Sequence, residues 1–144
     1  MPRSTRANNK TQPHEGDVLD FLHGVEPSGR REDAFVLLDL MAEVNAEPAR
    51  MSGSGIVGFG AYQFSYDSGR QGGHMLTGFA PRKANMVVYI MPGIGQYGGL
   101  LGKLGKYRTG QSCLYLGRLN GVDIKVLRKL VDRAVKDMRR KYGW

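Results

Sequence analysis

Met86-Val87-Val88-Tyr89-Ile90-Met91 is an almost continuous apolar run, with three β-branched residues among its six. A run this short, bounded by turn formers, predicts a strand buried on both faces in the middle of a sheet. Pro81-Arg82-Lys83 supplies a turn before it. Further upstream, His74 to Ala80 reads as another strand, and Tyr62-Gln63-Phe64-Ser65-Tyr66 alternates large and small side chains as a half-buried strand does. Asp67-Ser68-Gly69 is a turn between these two. Successive strands joined by short turns pair antiparallel. Downstream, Tyr97, Leu100, Leu101 and Leu104 space out as a short helix, and Ser112 to Leu116 gives a last strand.

Helices bracket these strands. Val18, Leu19 and Leu22 share one face of a helix over 15–24. Ser28 is placed to cap a second helix over 30–45, where Ala34, Phe35, Leu38, Met41 and Ala42 recur at three-four spacing. Pro48 ends it, because a residue before proline avoids the helical conformation. Asn120 is placed to cap a last helix over 122–140, with Leu127, Leu130, Val131, Ala134, Val135 and Met138 as its apolar stripe. The order ααβββαβα predicts an α+β fold. In it, two N-terminal helices, a short helix and a C-terminal helix pack on an antiparallel sheet of about four to five strands.

The chain has 144 residues, enough for one core. Residues 1–14 lack periodicity and read as a flexible tail, leaving 15–144 as a single domain. Cys113 is the sole cysteine, so no internal disulfide forms. The polar N-terminus has no signal-peptide stretch, and no apolar window approaches the ~18 residues of a membrane span. These features predict a cytoplasmic protein away from the membrane.

Charge is unevenly distributed. Residues 1–50 hold six Lys and Arg against nine Asp and Glu, and residues 51–144 hold fifteen against four. Either the two parts attract one another within the fold, or the basic part faces an anionic partner.

Motif inspection removes several chemistries. Gly93-Ile94-Gly95-Gln96-Tyr97-Gly98 matches the dinucleotide fingerprint GxGxxG. Pro92 interrupts the strand that should feed it, and Gly117 and Arg118 stand where an acidic ribose ligand belongs. Gly105-Lys106 lacks both the glycine five residues earlier, where Leu100 stands, and the following Ser or Thr, where Tyr107 stands, of a phosphate-binding P-loop. His14, His23 and His74 do not pair at metal-ligand spacing, and Cys113 sits in a strand as a core residue does. No catalytic acid–base pair or activated nucleophile is named by spacing.

Two constellations remain. Asp39, Glu43 and Glu47 repeat at i, i+4, i+8 along the second helix, with Glu32 and Asp33 upstream, forming an acidic ridge. It is either a solvated helix face or a weak oxygen-ligand site for a hard cation. The second set is basic and aromatic. Arg70, Arg82, Lys83, Lys103, Lys106 and Arg108 fall on turns and loops beside Tyr62, Tyr66 and Tyr107. Such groups bind phosphate, carboxylate or a nucleic-acid strand when they converge. The site expected from them comprises Tyr62, Tyr66, Arg70, Arg82, Lys83, Lys106, Thr109 and Ser112.

The segments Ile56-Val57-Gly58-Phe59-Gly60, Ser68-Gly69-Arg70 and Gly78-Phe79-Ala80-Pro81-Arg82-Lys83 resemble the YdhG-like domain family, a bacterial group without an assigned activity. Leu104-Gly105-Lys106 and Thr109-Gly110-Gln111-Ser112-Cys113-Leu114-Tyr115-Leu116 extend the likeness, which runs loosely from Asn9 to Met138. The resemblance implies a cytosolic α+β domain with helices on an antiparallel sheet. Some members of that family resemble frataxin and have been viewed as iron chaperones, which here implies iron held by Asp39, Glu43 and Glu47. The chain departs from the family where Ser52 replaces a tryptophan, Gln63 a histidine, and Lys106-Tyr107-Arg108 a Lys-His-Lys run.

Three functions stay open at this level. The first is a non-catalytic binding domain for a small anion or an anionic protein partner, needing no cofactor. The second is an iron-binding chaperone. The third is a nucleic-acid-binding protein that uses the basic last helix.

Overall fold

A computed structural model describes residues 16–60, 62–65 and 71–141. Its elements run α1 (Gly16–His23), α2 (Ser28–Asn45), β1 (Ala49–Gly53), β2 (Ile56–Phe59), β3 (Tyr62–Ser65), β4 (Gln71–His74), β5 (Thr77–Pro81) and β6 (Met86–Tyr89). There follow α3 (Gly98–Leu101), β7 (Arg108–Thr109), β8 (Cys113–Leu116) and α4 (Ile124–Lys141). The class is α+β, as the order of elements requires.

One sheet has six strands in the order β1-β2-β5-β6-β8-β7, every neighbouring pair antiparallel. The expectation of four to five strands falls short. Residues 49–59 form two strands that their small side chains conceal. Gly58 is buried, and the Ser52 hydroxyl and Met75 lie where a β-carbon would go. The stretch 74–80 divides. His74 ends β4, which pairs only with β3, and Thr77 begins β5, with Met75 and Leu76 outside both strands. Gly60, at φ 68°, takes a left-handed conformation between β2 and β3 that suits glycine.

Cross-strand register sorts the side chains by face. Val57, Phe79, Val88 and Leu114 lie in one row across four strands, and all are fully buried. The helices cover the sheet: α1 packs on β1, α2 on β2 and β5, and α4 on β5 and α2, while α3 rests on α4. Phe59 and Phe79 have no exposed surface, and burial of each stabilises the fold by roughly 1.5–3 kcal/mol.

α2 is buried on most of its circumference, including Arg30, Asp33 and Asn45, so it is the central helix. Its N-cap is Pro27, with no side-chain hydrogen bond, and Ser28 is its first residue rather than its cap. Ala46, left-handed at φ 55°, closes it by donating its N–H to the Ala42 carbonyl. α4 buries the apolar stripe expected of it. Its cap is Asp123, not Asn120: the Asp123 carboxylate accepts the N–H groups of Lys125 at 2.9 Å and Val126 at 3.4 Å. Asn120 belongs to a 3-10 turn over Leu119–Gly121. The helix expected over 97–104 is a 3-10 turn at Ile94–Gln96 followed by the single turn of α3. No helix among the described residues is long and apolar enough to cross a membrane.

Candidate functional site

Where β6 begins, β7 begins and β8 ends, the strand termini leave a cavity of about 320 Å³. Ala84 and Asn85 line it from the β5–β6 turn, Lys106, Tyr107 and Arg108 from the entry to β7, and Tyr115, Leu116 and Gly117 from the exit of β8. The register explains the convergence. Met86 pairs with Leu116 and Arg108 with Tyr115, so three chain segments meet at one end of the sheet.

Backbone geometry fixes each wall. The β5–β6 turn is closed by the Arg82 N–H donating to the Asn85 carbonyl at 2.9 Å. Arg82 and Lys83, both exposed, occupy the same turn as the lining residues Ala84 and Asn85. Lys106 is held by its own N–H, which donates to the Gly121 carbonyl at 3.1 Å. The preceding Gly105 bridges to Val122 at φ 120°, and a β-carbon there would lie 2.5 Å from the Gly121 carbonyl oxygen. Only glycine fits that approach. The Cys113 side chain two residues away, more than any other group, holds the Tyr115 phenol above its ordinary range, while Arg108 pulls it down.

Arg82, Lys83, Lys106 and Arg108 are exposed and form no ion pair with any described residue. The contrast lies just beyond Gly117. The Asp33 carboxylate, 6 % exposed, accepts the Arg118 Nε at 2.8 Å and the Leu119 N–H at 3.0 Å. Asp33, first by that hydrogen bond and then by its charge, raises the Arg118 guanidinium pKa. Glu32 stands 3.8 Å from the same guanidinium. Arg30 donates to the Gly117 carbonyl at 2.6 Å, so α2 fixes the wall residue from behind. Farther along, Glu43 pairs with Arg128 of α4 at 2.8 Å.

The eight expected site residues part company. Lys106 lines the cavity, and Arg82 and Lys83 stand on its turn. Thr109 pairs with Leu114 in register, whereas the neighbouring Arg108 pairs with Tyr115 and lines the cavity. Ser112 precedes β8 at the strand end remote from Gly117, where its carbonyl accepts the Ile90 N–H. Tyr62 belongs to β3, and Tyr66 and Arg70 lie outside the described residues. Tyr115 joins the site through strand register, Arg108, already in the basic set, through its pairing with Tyr115, and Asn85 through its place on the β5–β6 turn. Alternation along β8 and the Arg108 charge were the available signals, and neither fixes a cross-strand neighbour.

Asp33, counted with the acidic ridge, is buried, and Glu43 of the ridge is bound to Arg128. Among the described residues no three His, Cys, Asp or Glu side chains are grouped to hold a metal ion. Comparison with protein-family models, with curated proteins and with solved structures found no match.

Proposed function

We propose that this protein is a non-catalytic binding domain whose cavity at the end of β6, β7 and β8 holds a small anion. The observation that carries the reading is the set Arg82, Lys83, Lys106 and Arg108, gathered around one cavity without ion-pair partners among the described residues. Exposed cations on loops are common. Cations fixed by a glycine-locked backbone and by a cross-strand pair, around a concave surface, are arranged as anion sites are. Arg108 brings a planar fork suited to two oxygens, and Lys106 a point charge. Asn85 adds an amide able to donate or accept. The segments 78–83, 104–106 and 109–116 also carry the likeness to the YdhG-like family, and we extend the proposal to membership of that family.

The test is calorimetric titration with orthophosphate and with small di- and tricarboxylates at low ionic strength. Binding that weakens with salt and is lost in the Lys106→Gln/Arg108→Gln variant is the expected result. A flat response at millimolar ligand removes the reading.

A further inference from the structure

The cavity offers more than charge. Two phenol rings, Tyr107 and Tyr115, share its wall with Ala84 and Leu116, and a bare oxyanion makes no use of them. Its volume of about 320 Å³ sits at the lower edge of the roughly 300–1,000 Å³ typical of pockets for organic ligands. Tyr107 is 38 % exposed at the entry to β7, a large ring left accessible between two cations, Lys106 and Arg108. Its hydroxyl makes no hydrogen bond to a described residue. Tyr115 is differently placed. The cross-strand pairing with Arg108 sets its position along the strand.

Resting on the reading above, we infer that the ligand is a phosphorylated nucleoside. Its base stacks against Tyr107, and Lys106 and Arg108, with Arg82 and Lys83 at the rim, take its phosphate. The Asn85 amide lines the same cavity from the β5–β6 turn and can both donate to and accept from the edge of a base. Aromatic rings stack every base through its π-face, so this arrangement favours nucleotides as a class over any one of them. Arg108 contributes twice, to phosphate oxygens through its fork and to a ring through its plane. The glycine-rich run Gly93–Gly98 takes no part, since it forms a 3-10 turn and the start of the four-residue α3.

The experiment is a titration of the whole protein with four probes: orthophosphate, ribose 5-phosphate, a set of nucleoside 5′-monophosphates, and the matching unphosphorylated nucleosides. Monophosphates binding about tenfold or more tighter than orthophosphate and ribose phosphate is the expected result, the gain coming from base stacking. Nucleosides alone bind weakest. Tyr107→Ala, at an exposed position, abolishes the advantage of the monophosphates and leaves orthophosphate binding unchanged, with thermal unfolding confirming the fold. Monophosphates no tighter than orthophosphate, or an advantage that survives Tyr107→Ala, overturn this inference and leave the anion site standing. Absence of binding by every phosphate, or binding unchanged in Lys106→Gln/Arg108→Gln, overturns both.

Discussion

Two parts of this molecule treat positive charge in opposite ways. Along the seam between α2 and the chain after β8, cations meet acids: Arg118 meets Asp33 and Glu32, and Arg128 meets Glu43. A few residues away, at the end of β6, β7 and β8, Lys106 and Arg108 line a cavity with Arg82 and Lys83 beside them, and none pairs with a described acid. Among the described residues, the acidic first third and the basic remainder meet in ion pairs along this seam. The difference separates two roles that composition merges. Matched charges set how the elements dock, and unmatched charges on a concave surface are available to something outside the chain.

Substitutions that act on one region and spare the other sharpen this contrast. The largest effect is expected at the seam. Asp33→Ala removes a buried carboxylate that accepts three hydrogen bonds and leaves the Leu119 N–H without its acceptor. Urea unfolding should show a loss of about 2–4 kcal/mol, given the worth of hydrogen bonds to a charged group and the cost of an unsatisfied buried donor. A loss below ~1 kcal/mol would mean that the seam is not held by this pair.

At the cavity the pattern inverts. Lys106→Gln and Arg108→Gln each weaken phosphate binding by about 1.5–3 kcal/mol, while stability stays within about ±0.5 kcal/mol. Calorimetry beside thermal unfolding of the same samples measures both. Equal effects of these variants on stability and binding would erase the distinction between the two regions.

A smaller effect lies at the contact of α4 with the loop after β6. Tyr97 is buried and donates its hydroxyl to Asp137 at 2.6 Å. Burial first, and then that hydrogen bond, raises its phenol well above the ordinary range. A raised folded-state value means the neutral form is favoured in the fold. The stabilisation is fully present below the ordinary tyrosine pKa and is lost as pH rises past it toward the folded value. Unfolding followed across the alkaline range should therefore show a shallower decline in Tyr97→Phe than in the parent chain. Identical slopes would contradict the assignment.

The smallest effect belongs to the half-exposed pair Glu43–Arg128, whose side chains are 52 % and 49 % exposed. Glu43→Gln should cost no more than about 1 kcal/mol and should become neutral in high salt. A larger, salt-independent loss in urea unfolding would place this contact with Asp33 rather than at the surface.

α2 and α4 were readable in the sequence because each carries a long, periodic run of apolar residues. In α4 all six expected core residues are buried. β6 was readable because its run of large apolar residues has few alternatives. β1 and β2 were not, since Ser52, Gly53 and Gly58 give no alternation of large and small residues that marks a strand. Met75 packs beside both Gly58 and Gly78, a contact between positions distant in sequence. The cavity was half readable. Turn chemistry pointed to Arg82, Lys83 and Lys106, whereas Asn85 on the same turn carries no charge to mark it and Tyr115 reaches the cavity only through register. The same limit explains the inclusion of Ser112, near in sequence to Tyr115 but at the other end of β8. Asp33 looked like part of a solvated ridge because its partners, Arg118 and Leu119, follow it by more than eighty residues.

The central claim is that the unpaired cations at the end of β6, β7 and β8 form an anion site. Titration of orthophosphate into the parent chain and into Lys106→Gln/Arg108→Gln, at low and high salt, tests it most directly. The account predicts binding to the parent that weakens with salt and disappears in a variant of unchanged stability. Absence of binding to the parent, or equal binding to both, would contradict it.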